Sequence, residues 1–394
     1  MNADLIFNIK EKASLLLPEI ITIRRELHAN PELSFEEEKT ADFIAKILSK
    51  ADIPFTRGWA GHGIVAIIQG QSDRVVALRG DIDALPITET NEVSYKSKHP
   101  GIMHACGHDV HTASLLGVAL ILNQLKESLP HSIKFIFQPG EEKLPGGASL
   151  MIAEGVLQHP EPECIIGQHV FPSLETGKVG VRSGLYMASA DEIYISVKGK
   201  GGHAAMPQDV NDTVLAASQL IVSLQQIVSR NANPTIPSVL SFGKFNTIGG
   251  ATNIIPDEVK IEGTFRTMDE EWRMKAHALI KNIAEDICSA FGCKVDVTIL
   301  KGYPCLVNDI SLTGNIKTSM QEYLGAENVI ELDIRMTSED FAFYSQAVPA
   351  CFYRLGTRNE SKGIISPVHT STFDVDEASL EIGMGLMAWL AIKS

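Results

Sequence analysis

The sequence lacks the features of membrane-spanning, nucleic-acid-binding and disulfide-stabilised proteins. No stretch approaches 18 consecutive apolar residues, so we expect no transmembrane helix. The 34 basic residues are outnumbered by 48 acidic ones, and the net charge of −14 disfavours nucleic acid and anionic membranes as partners. The six cysteines lack the spacing of a disulfide framework, which is typical of reduced thiols. Because the first twenty residues mix acids and lysines into an apolar run, we expect no secretion signal and a cytoplasmic location.

The length and composition favour two folded domains. A chain of 394 residues exceeds what one hydrophobic core usually accommodates, and 44% hydrophobic with 21% charged residues is typical of globular proteins. In the first half, short apolar runs rich in β-branched residues alternate with helical patterns, which predicts a mostly parallel sheet between helix layers. We expect two of these runs, 62–70 and 74–80, to pair as a hairpin.

The pattern changes between about residues 191 and 302, where strand, helix, two strands, helix and strand follow one another. This order is the split-βαβ or ferredoxin-like arrangement, a complete α+β unit with helices on an antiparallel sheet. Because strand and helix alternate again after Gly302, we interpret the unit as inserted. The predicted fold is therefore α/β, with a larger domain of residues 1–187 and 303–394 and an inserted domain of residues 188–302.

Acidic residues and histidines recur where the predicted strands end. Those in such positions are Asp81, Asp83, Glu141, Glu142, His169 and His369. The carboxyl ends of parallel strands meet at one edge of a sheet, where ligand sites form. We therefore expect these side chains to be neighbours. That loops are polar explains single carboxylates, but not repeated histidines and paired acids.

The segment MHACGHDVH holds the densest group of metal-binding side chains. A thiolate and an imidazole are good ligands for a borderline divalent metal, and the glycine between Cys106 and His108 lets both turn toward one point. We interpret these two as ligands, His104 and His111 as supporting or structural, and Asp109 or its neighbours as the cap of the next helix. Two alternatives stay open: Cys106 as a nucleophile activated by a histidine, or a surface cluster without function.

Two adjacent glutamates, Glu141 and Glu142, suit metal-assisted hydrolysis. One carboxylate can bind metal while the other accepts a proton from water. Such a pair is common on surfaces, so it gains meaning only beside Cys106 and His108. The sequence contains neither a Walker A motif nor an HExxH helix.

Three residues of the insert carry groups suited to substrate binding. His203 lies in GKGGHAAMP, a loop that would present its imidazole to a carbonyl oxygen gaining negative charge. Asn253 and Arg266 could hold a carboxylate between an amide and a guanidinium. Taken alone, the last two are more simply explained as a turn asparagine and a solvated arginine.

Together these segments resemble the M20 metallopeptidase family, most closely its amidohydrolase branch of hippurate hydrolases, N-acyl-amino-acid deacylases and auxin-conjugate hydrolases. The resemblance runs along nearly the whole chain, through RRELHANPELSFEE, LRGDIDALPI, MHACGHDVHTASLLG, QPGEE, GQHV, GKGGHAAMP, TNIIP and SEDFAFY. It implies a zinc-exopeptidase-like catalytic domain holding two divalent metal ions, Mn²⁺ or Zn²⁺ first and Co²⁺ or Ni²⁺ as alternatives. It also implies that the insert is a lid and dimerisation domain.

The resemblance assigns a role to each candidate residue. The implied metal ligands are Cys106 (bridging), His108, Glu142, His169 and His369. The implied general base is Glu141, with Asp83 behind the metals, His203 polarising the scissile carbonyl, and Asn253 and Arg266 contacting the substrate carboxylate. The chain departs from the family pattern at Asp81, where other branches have histidine, and at Thr372, where we would expect proline.

The implied activity is metal-dependent hydrolysis of the amide bond of an N-acyl amino acid to a carboxylate and a free amino acid. The implied partners are a small-molecule substrate and a second copy of the chain, in a homodimer or higher homo-oligomer. Three alternatives are a dipeptidase or carboxypeptidase of the same family, a hydrolase that uses the Cys106 thiol, and a metal- or ligand-binding protein without catalysis.

Overall fold

A computed structural model describes residues 2–394 as two compact units, each with its own buried hydrophobic cluster. The larger unit consists of Met1–Tyr186, Val307–Ile334 and Asp340–Ser394, and the smaller unit of Met187–Leu306 and Arg335–Glu339. Within residues 2–394, no helix combines the length and the apolar character needed to cross a bilayer.

The strands, in chain order, are β1 (Phe55–Trp59), β2 (Gly63–Ile68), β3 (Val75–Asp81), β4 (Ser132–Gln138), β5 (Cys164–Glu175), β6 (Val179–Val181), β7 (Gly184–Met187), β8 (Asp191–Lys198), β9 (Gly202–His203), β10 (Ser238–Ile248), β11 (Ile254–Ile255), β12 (Glu258–Thr267), β13 (Lys294–Lys301), β14 (Leu306–Asn308), β15 (Val329–Glu331) and β16 (Ala350–Arg358). The α-helices are α1 (Asn2–Ala29), α2 (Glu38–Lys50), α3 (His108–Gln124), α4 (Gly147–Ala153), α5 (Thr213–Leu224), α6 (Glu270–Ala290), α7 (Ile310–Leu324), α8 (Ala342–Ser345) and α9 (Ser379–Lys393).

An eight-stranded sheet in the order β1-β2-β4-β3-β5-β16-β6-β15 forms the centre of the larger unit. Its middle strands β4, β3, β5 and β16 run parallel to one another. Asp81 at the end of β3 is paired with Gln138 at the end of β4, and His169 of β5 is paired with Arg354 of β16. The segments that follow β3 and β4 therefore lie at the same edge of the sheet as the middle of β5.

The predicted hairpin between residues 62–70 and 74–80 is wrong. Strand β4 lies between β2 and β3, antiparallel to the first and parallel to the second. The peptide N–H of Gln71 donates to Leu129, and that of Ser132 donates to Arg74, so the chain entering β4 takes the place beside this turn. All seven residues of β4 are buried, and such a strand is most stable in the interior of a sheet.

The smaller unit carries an antiparallel sheet in the order β10-β12-β8-β13. In β8, buried residues alternate with exposed or half-buried ones, so one face of the strand contributes to a core that α5 and α6 complete. The chain order of these elements is the predicted β-α-β-β-α-β. The predicted fold class, α/β with an inserted split-βαβ unit, is confirmed.

Helix α3 is buried inside the larger unit. It is apolar along most of its length and packs against α1, α9 and β3. A helix buried on nearly every side is held by this packing, and its first residue is His108. The core around α3 therefore fixes the position of the segment that carries Cys106 and His108.

Truncation of a core leucine in α3 should destabilise the larger unit. Leu116 is 0% exposed, and we expect Leu116→Ala to lower the free energy of unfolding by about 2–5 kcal/mol through lost burial and a cavity. Leu15→Ala is the matched control because Leu15 is 75% exposed, and its effect should stay within about 0.5 kcal/mol. Urea unfolding followed by circular dichroism measures both, and equal effects would contradict the buried position of Leu116.

Candidate metal centre

Two groups of potential metal ligands at the sheet edge share Cys106. One group consists of Cys106, His108 and His169, and the other of Cys106, Glu142 and His369. Within each group the ligand atoms lie within 4.8 Å of one another. The structure thus brings together the five residues for which the sequence predicts ligand roles, and the roles themselves stay a prediction.

The donor atoms converge on the sulfur of Cys106. Its Sγ lies 3.2 Å from Nε2 of His369 and 3.5 Å from Nε2 of His169. Oε1 of Glu142 lies 3.2 Å from Nε2 of His369 and 3.9 Å from Nε2 of His108. A thiol, three imidazoles and a carboxylate therefore face one small volume.

Two of the imidazoles are oriented from behind so that Nε2 faces this volume. Nδ1 of His108 lies 3.0 Å from Oδ1 of Asp83, and Nδ1 of His169 lies 2.8 Å from the carbonyl oxygen of Val170. A ring that donates from Nδ1 keeps its lone pair on Nε2, as metal-ligating histidines do.

The donor set fits a divalent metal. Among the described residues, Nε2 of His108 is buried without a hydrogen-bond partner, which is costly unless the atom has another ligand. Sulfur, imidazole and carboxylate together suit Zn²⁺ or similar transition metals.

Burial, with the nearby Glu142, raises the pKa of the Cys106 thiol, whereas an activated cysteine nucleophile needs a lowered pKa.

Asp83 fixes two elements of the site at once. Besides holding His108 through Oδ1, it accepts hydrogen bonds on Oδ2 from the hydroxyl of Ser34 (2.6 Å) and the peptide N–H of Glu142 (2.9 Å). Burial opposes the charged form, but the bonds from His108 and Ser34 hold the pKa of Asp83 below its usual value. Asp83 is therefore an ionised support behind His108 and Glu142.

The turn that carries Glu141 and Glu142 is also held by Phe35 and Glu37. Gly140 has a φ of +63°, and a Cβ there would lie 2.3 Å from the ring of Phe35, so only glycine fits. The peptide N–H of Gly140 donates to Oε1 of Glu37 at 2.8 Å. Burial and the neighbouring Asp83 raise the pKa of Glu37 to about 7. This contact fixes the backbone just before the two glutamates.

Glu141 and Glu142 have different surroundings although they are adjacent. Glu142 belongs to the group of Cys106 and His369, whereas Glu141 is 6% exposed and accepts a hydrogen bond from the peptide N–H of Asp340 at 3.3 Å. A carboxylate oxygen of Glu141 lies within 4.8 Å of ligand atoms of both His108 and Glu142. Glu141 thus lies beside the candidate metal site and is held by its own hydrogen bond.

His369 is held by its backbone as well as its ring. It has a left-handed φ of +62°, which is uncommon for a residue other than glycine and tends to occur at functional sites. Its peptide N–H donates to the carbonyl of Ala105 at 2.7 Å, so it is tied to the segment of Cys106. Thr372, where proline was expected, pairs its hydroxyl with that of Ser366 at 2.9 Å.

The other two histidines of the MHACGHDVH segment lie outside both ligand groups. His111 uses both ring nitrogens, since Nδ1 contacts Asp81 and Nε2 accepts from the peptide N–H of Val170 at 2.9 Å. His104 is buried, and burial lowers its pKa to about 4, so its ring is neutral. His111 therefore supports the backbone beside His169.

The sequence suggests Asp109 or one of its neighbours as the cap of helix α3, and the structure places Asp109 inside the helix instead. The residue at the cap position is Gly107, with a left-handed φ of +81° and no side-chain cap. The carboxylate of Asp109 accepts hydrogen bonds from Nε of Arg24 (2.7 Å) and lies 2.8 Å from Nδ1 of His28. Burial opposes ionisation, yet Arg24 and His28 hold the pKa of Asp109 well below its usual range. The carboxylate of Asp109 therefore binds a buried guanidinium on α1 and does not cap the helix.

The smaller unit holds the three predicted substrate-binding residues. His203 is exposed and pairs with Ile254 in the ladder of β9 and β11, and the peptide N–H of Ala204 donates to the carbonyl of Asn253 at 2.9 Å. Half-buried Arg266 donates from Nη1 to the carbonyl of Met336 (3.1 Å) and contacts the hydroxyl of Ser338. Within residues 2–394 no carboxylate pairs with Arg266, and burial lowers its pKa. His203 and Asn253 are thus close neighbours.

Sequence reasoning missed the buried polar residues that support the site, namely Arg24, His28, Glu37, Arg79, Gln138 and Asp340. All six lie in segments that carry the family resemblance, but nothing in those segments separates supporting residues from exposed ones. Their roles depend on partners that lie far away in the sequence.

Comparison with known proteins agrees with the geometry. Residues 77–393 match the profile of peptidase family M20/M25/M40. The chain is 41% identical over 382 residues to N-acetyl-L-cysteine deacetylase of Bacillus subtilis strain 168, covering 95% of this chain and 89% of the relative. It is 38% identical over 394 residues to thermostable carboxypeptidase 2 of Saccharolobus solfataricus, covering 99% of both chains. The crystal structure of Bacillus subtilis YXEP, described as a dinuclear metal binding peptidase from the M20 family, has a TM-score of 0.83 and 33% identity, covering 96% of this chain and 98% of YXEP.

Removal of the shared sulfur should weaken metal binding at both groups. We expect Cys106→Ala to lower the metal content to less than half that of the unmodified protein, because each group loses one of its three donors. The matched control is Cys164→Ala, since Cys164 is a buried cysteine at the first residue of β5 and belongs to neither ligand group. Elemental analysis of the dialysed proteins measures both, and unchanged metal content in Cys106→Ala would contradict the shared position.

Proposed function

The chain is a metal-dependent hydrolase that belongs to the M20/M25/M40 peptidase family, and we propose that it hydrolyses N-acyl amino acids. The products would be a carboxylate, such as acetate or benzoate, and a free amino acid. The observation that carries the proposal is the separately anchored Glu141 beside the five converging donors. The similarity to a deacetylase of an N-acetylated amino acid supports the substrate class.

Cys106, His108, Glu142, His169 and His369 would hold two divalent metal ions, with the sulfur of Cys106 as the shared ligand. When bound, the metals supply a polarised carbonyl and a water of lowered pKa. We propose Mn²⁺ or Zn²⁺, with Co²⁺ or Ni²⁺ as alternatives, because the mixed donors accept each of them.

Glu141 would move the proton. Its carboxylate lies beside His108 and Glu142 and so is within reach of a water attacking a carbonyl there. In the proposed reaction Glu141 accepts a proton from the attacking water and passes it to the leaving nitrogen. Asp83 keeps His108 in the tautomer whose Nε2 carries the lone pair.

The residues of the smaller unit would bind the substrate. We propose that the guanidinium of Arg266 and the amide of Asn253 hold the carboxylate of the amino acid. The lack of any carboxylate partner for Arg266 within residues 2–394 supports this role. The exposed imidazole of His203 would donate to the carbonyl oxygen as negative charge develops on it.

We also propose a homodimer formed through the smaller unit, in the cytoplasm. Strand β10 is at one edge of its sheet and exposes Phe245 and Ile248, while α5 exposes Leu215 and Val222. An open edge with apolar side chains is typical of a surface that pairs with another chain. Six free, buried cysteines within the described chain support a reducing compartment.

A second candidate is a carboxypeptidase or dipeptidase. The similarity to thermostable carboxypeptidase 2 favours it, and the same donors and glutamate would serve a peptide substrate. The two candidates differ in the group on the acyl side of the amide, which is a simple carboxylic acyl group in one and an aminoacyl or peptidyl group in the other.

Replacement of Glu141 tests the proposed chemistry. We expect Glu141→Gln to keep its metal content but to lose about 10²–10⁴-fold in kcat, because the amide cannot accept a proton. Glu161→Gln, at an exposed glutamate, is the matched control and should retain wild-type turnover. Steady-state kinetics with elemental analysis measure both, and normal turnover by Glu141→Gln would refute its role.

A substrate panel separates the two candidates. We expect kcat/KM to be at least tenfold higher for N-acetyl- and N-benzoyl-amino acids than for dipeptides with the same C-terminal residue. Activity should disappear on chelation and return with Mn²⁺ or Zn²⁺. A preference for dipeptides would favour the peptidase, and activity that survives chelation but not thiol alkylation would favour the Cys106 hydrolase.

A further inference from the structure

The segment SEDFAFY has no role in the proposed chemistry, yet its Asp340 is among the most highly coordinated side chains of the larger unit. The carboxylate is fully buried. Oδ1 accepts hydrogen bonds from Arg79 (2.7 Å) and Gln138 (2.9 Å), and Oδ2 accepts from Gln138 (2.8 Å) and the peptide N–H of Ala148 (3.0 Å). All four bonds fall within the larger unit. Such saturation makes the position of Asp340 well defined.

Arg79 connects Asp340 to the rest of the site. Its guanidinium is buried between the carboxylates of Asp340 and Asp81, and its Nε donates to Oε1 of Gln138 at 2.9 Å. Asp81 in turn contacts His111. A planar guanidinium between two acids fixes both in orientation as well as in charge.

The backbone of Asp340 then reaches Glu141. Its peptide N–H donates to Oε1 of Glu141 at 3.3 Å. The locked side chain of the same residue helps to fix this donor, because Asp340 lies in a turn just before α8 rather than within a helix or strand. We infer that Arg79, Gln138 and Asp340 form a positioning unit for Glu141, which holds the proton-carrying carboxylate through the Asp340 peptide N–H.

The surroundings of Asp340 make asparagine a demanding replacement. Each of its two oxygens accepts hydrogen bonds from at least two donors, so the amide nitrogen of an asparagine would meet a donor in either orientation. We therefore expect Asp340→Asn to shift the 340 backbone and release Glu141 while leaving the five metal donors untouched. A displacement of about 1 Å at a catalytic group can cost up to about 100-fold in rate.

A double-mutant cycle tests this role, which rests on the proposed function of Glu141. In the otherwise unmodified enzyme, loaded with Zn²⁺ or Mn²⁺, Asp340→Asn should lower kcat about 10–100-fold, with KM within twofold and metal content unchanged. In the Glu141→Gln background the same change should cost less than twofold, because a positioning residue acts only through the group that it positions. Asp333→Asn, at an exposed aspartate, is the matched control and should change neither background.

Each other outcome has a definite meaning. Equal losses in both backgrounds, a loss of metal, or unchanged kcat in Asp340→Asn would overturn the inference. Normal turnover by Glu141→Gln would instead refute the proposed function itself.

A second variant and a structure make the test independent of one substitution. Gln138→Leu removes the donor to both oxygens of Asp340, so it should give the same pattern if Asp340→Asn does not fold. A crystal structure of either variant should show the Glu141 carboxylate displaced from the 340 peptide N–H. An unmoved Glu141 in that structure would overturn the inference.

Discussion

The larger unit holds five potential metal donors close together at one edge of its sheet, and one of them, Nε2 of His108, is buried without a hydrogen-bond partner among the described residues. An unpaired imidazole nitrogen inside a protein is costly, and a folded chain normally pairs it. Here the ring of His108 is held so that Nε2 has no partner within the described residues, and Cys106 lies within reach of two histidines. Such an arrangement is stable when a cation completes it, so folding and metal binding should be coupled.

The surrounding residues supply the rigidity that this arrangement requires. Asp83 holds His108 and the Glu142 backbone, and Arg24 on α1 ties Asp109 beside them. Arg79 lies between Asp81 and Asp340, which lead to His111 and Glu141 respectively. The buried carboxylates around the site are therefore each paired with a cation or an N–H donor.

Much of this architecture follows from local sequence patterns. Alternating apolar runs and helices predict the α/β class, and the β-α-β-β-α-β order predicts the inserted unit. Histidines and acids at strand ends predict which side chains meet, because parallel strands share an edge. The pair of Cys106 and His108 can be recognised in the sequence because few roles other than metal binding need a thiol and an imidazole so close together.

Other features depend on partners that the local pattern does not contain. The 62–80 hairpin is wrong because a later strand, β4, takes the place beside β2. The position of Asp109 in the sequence suggests a helix cap, but its carboxylate accepts a hydrogen bond from Arg24, which is 85 residues away. Asp340 has no signal of its own, because its importance comes from Arg79 and Gln138 on two distant strands. Long-range burial, rather than local propensity, decides each of these positions.

Anomalous diffraction from crystals of the Zn²⁺-loaded protein tests the central claim most directly. Two anomalous peaks should flank the sulfur of Cys106, each about 2.3 Å from it. One should also lie near His108 and His169, and the other near Glu142 and His369. A single peak, or peaks beyond bonding distance of Cys106, would contradict a shared sulfur and the two-metal site built on it.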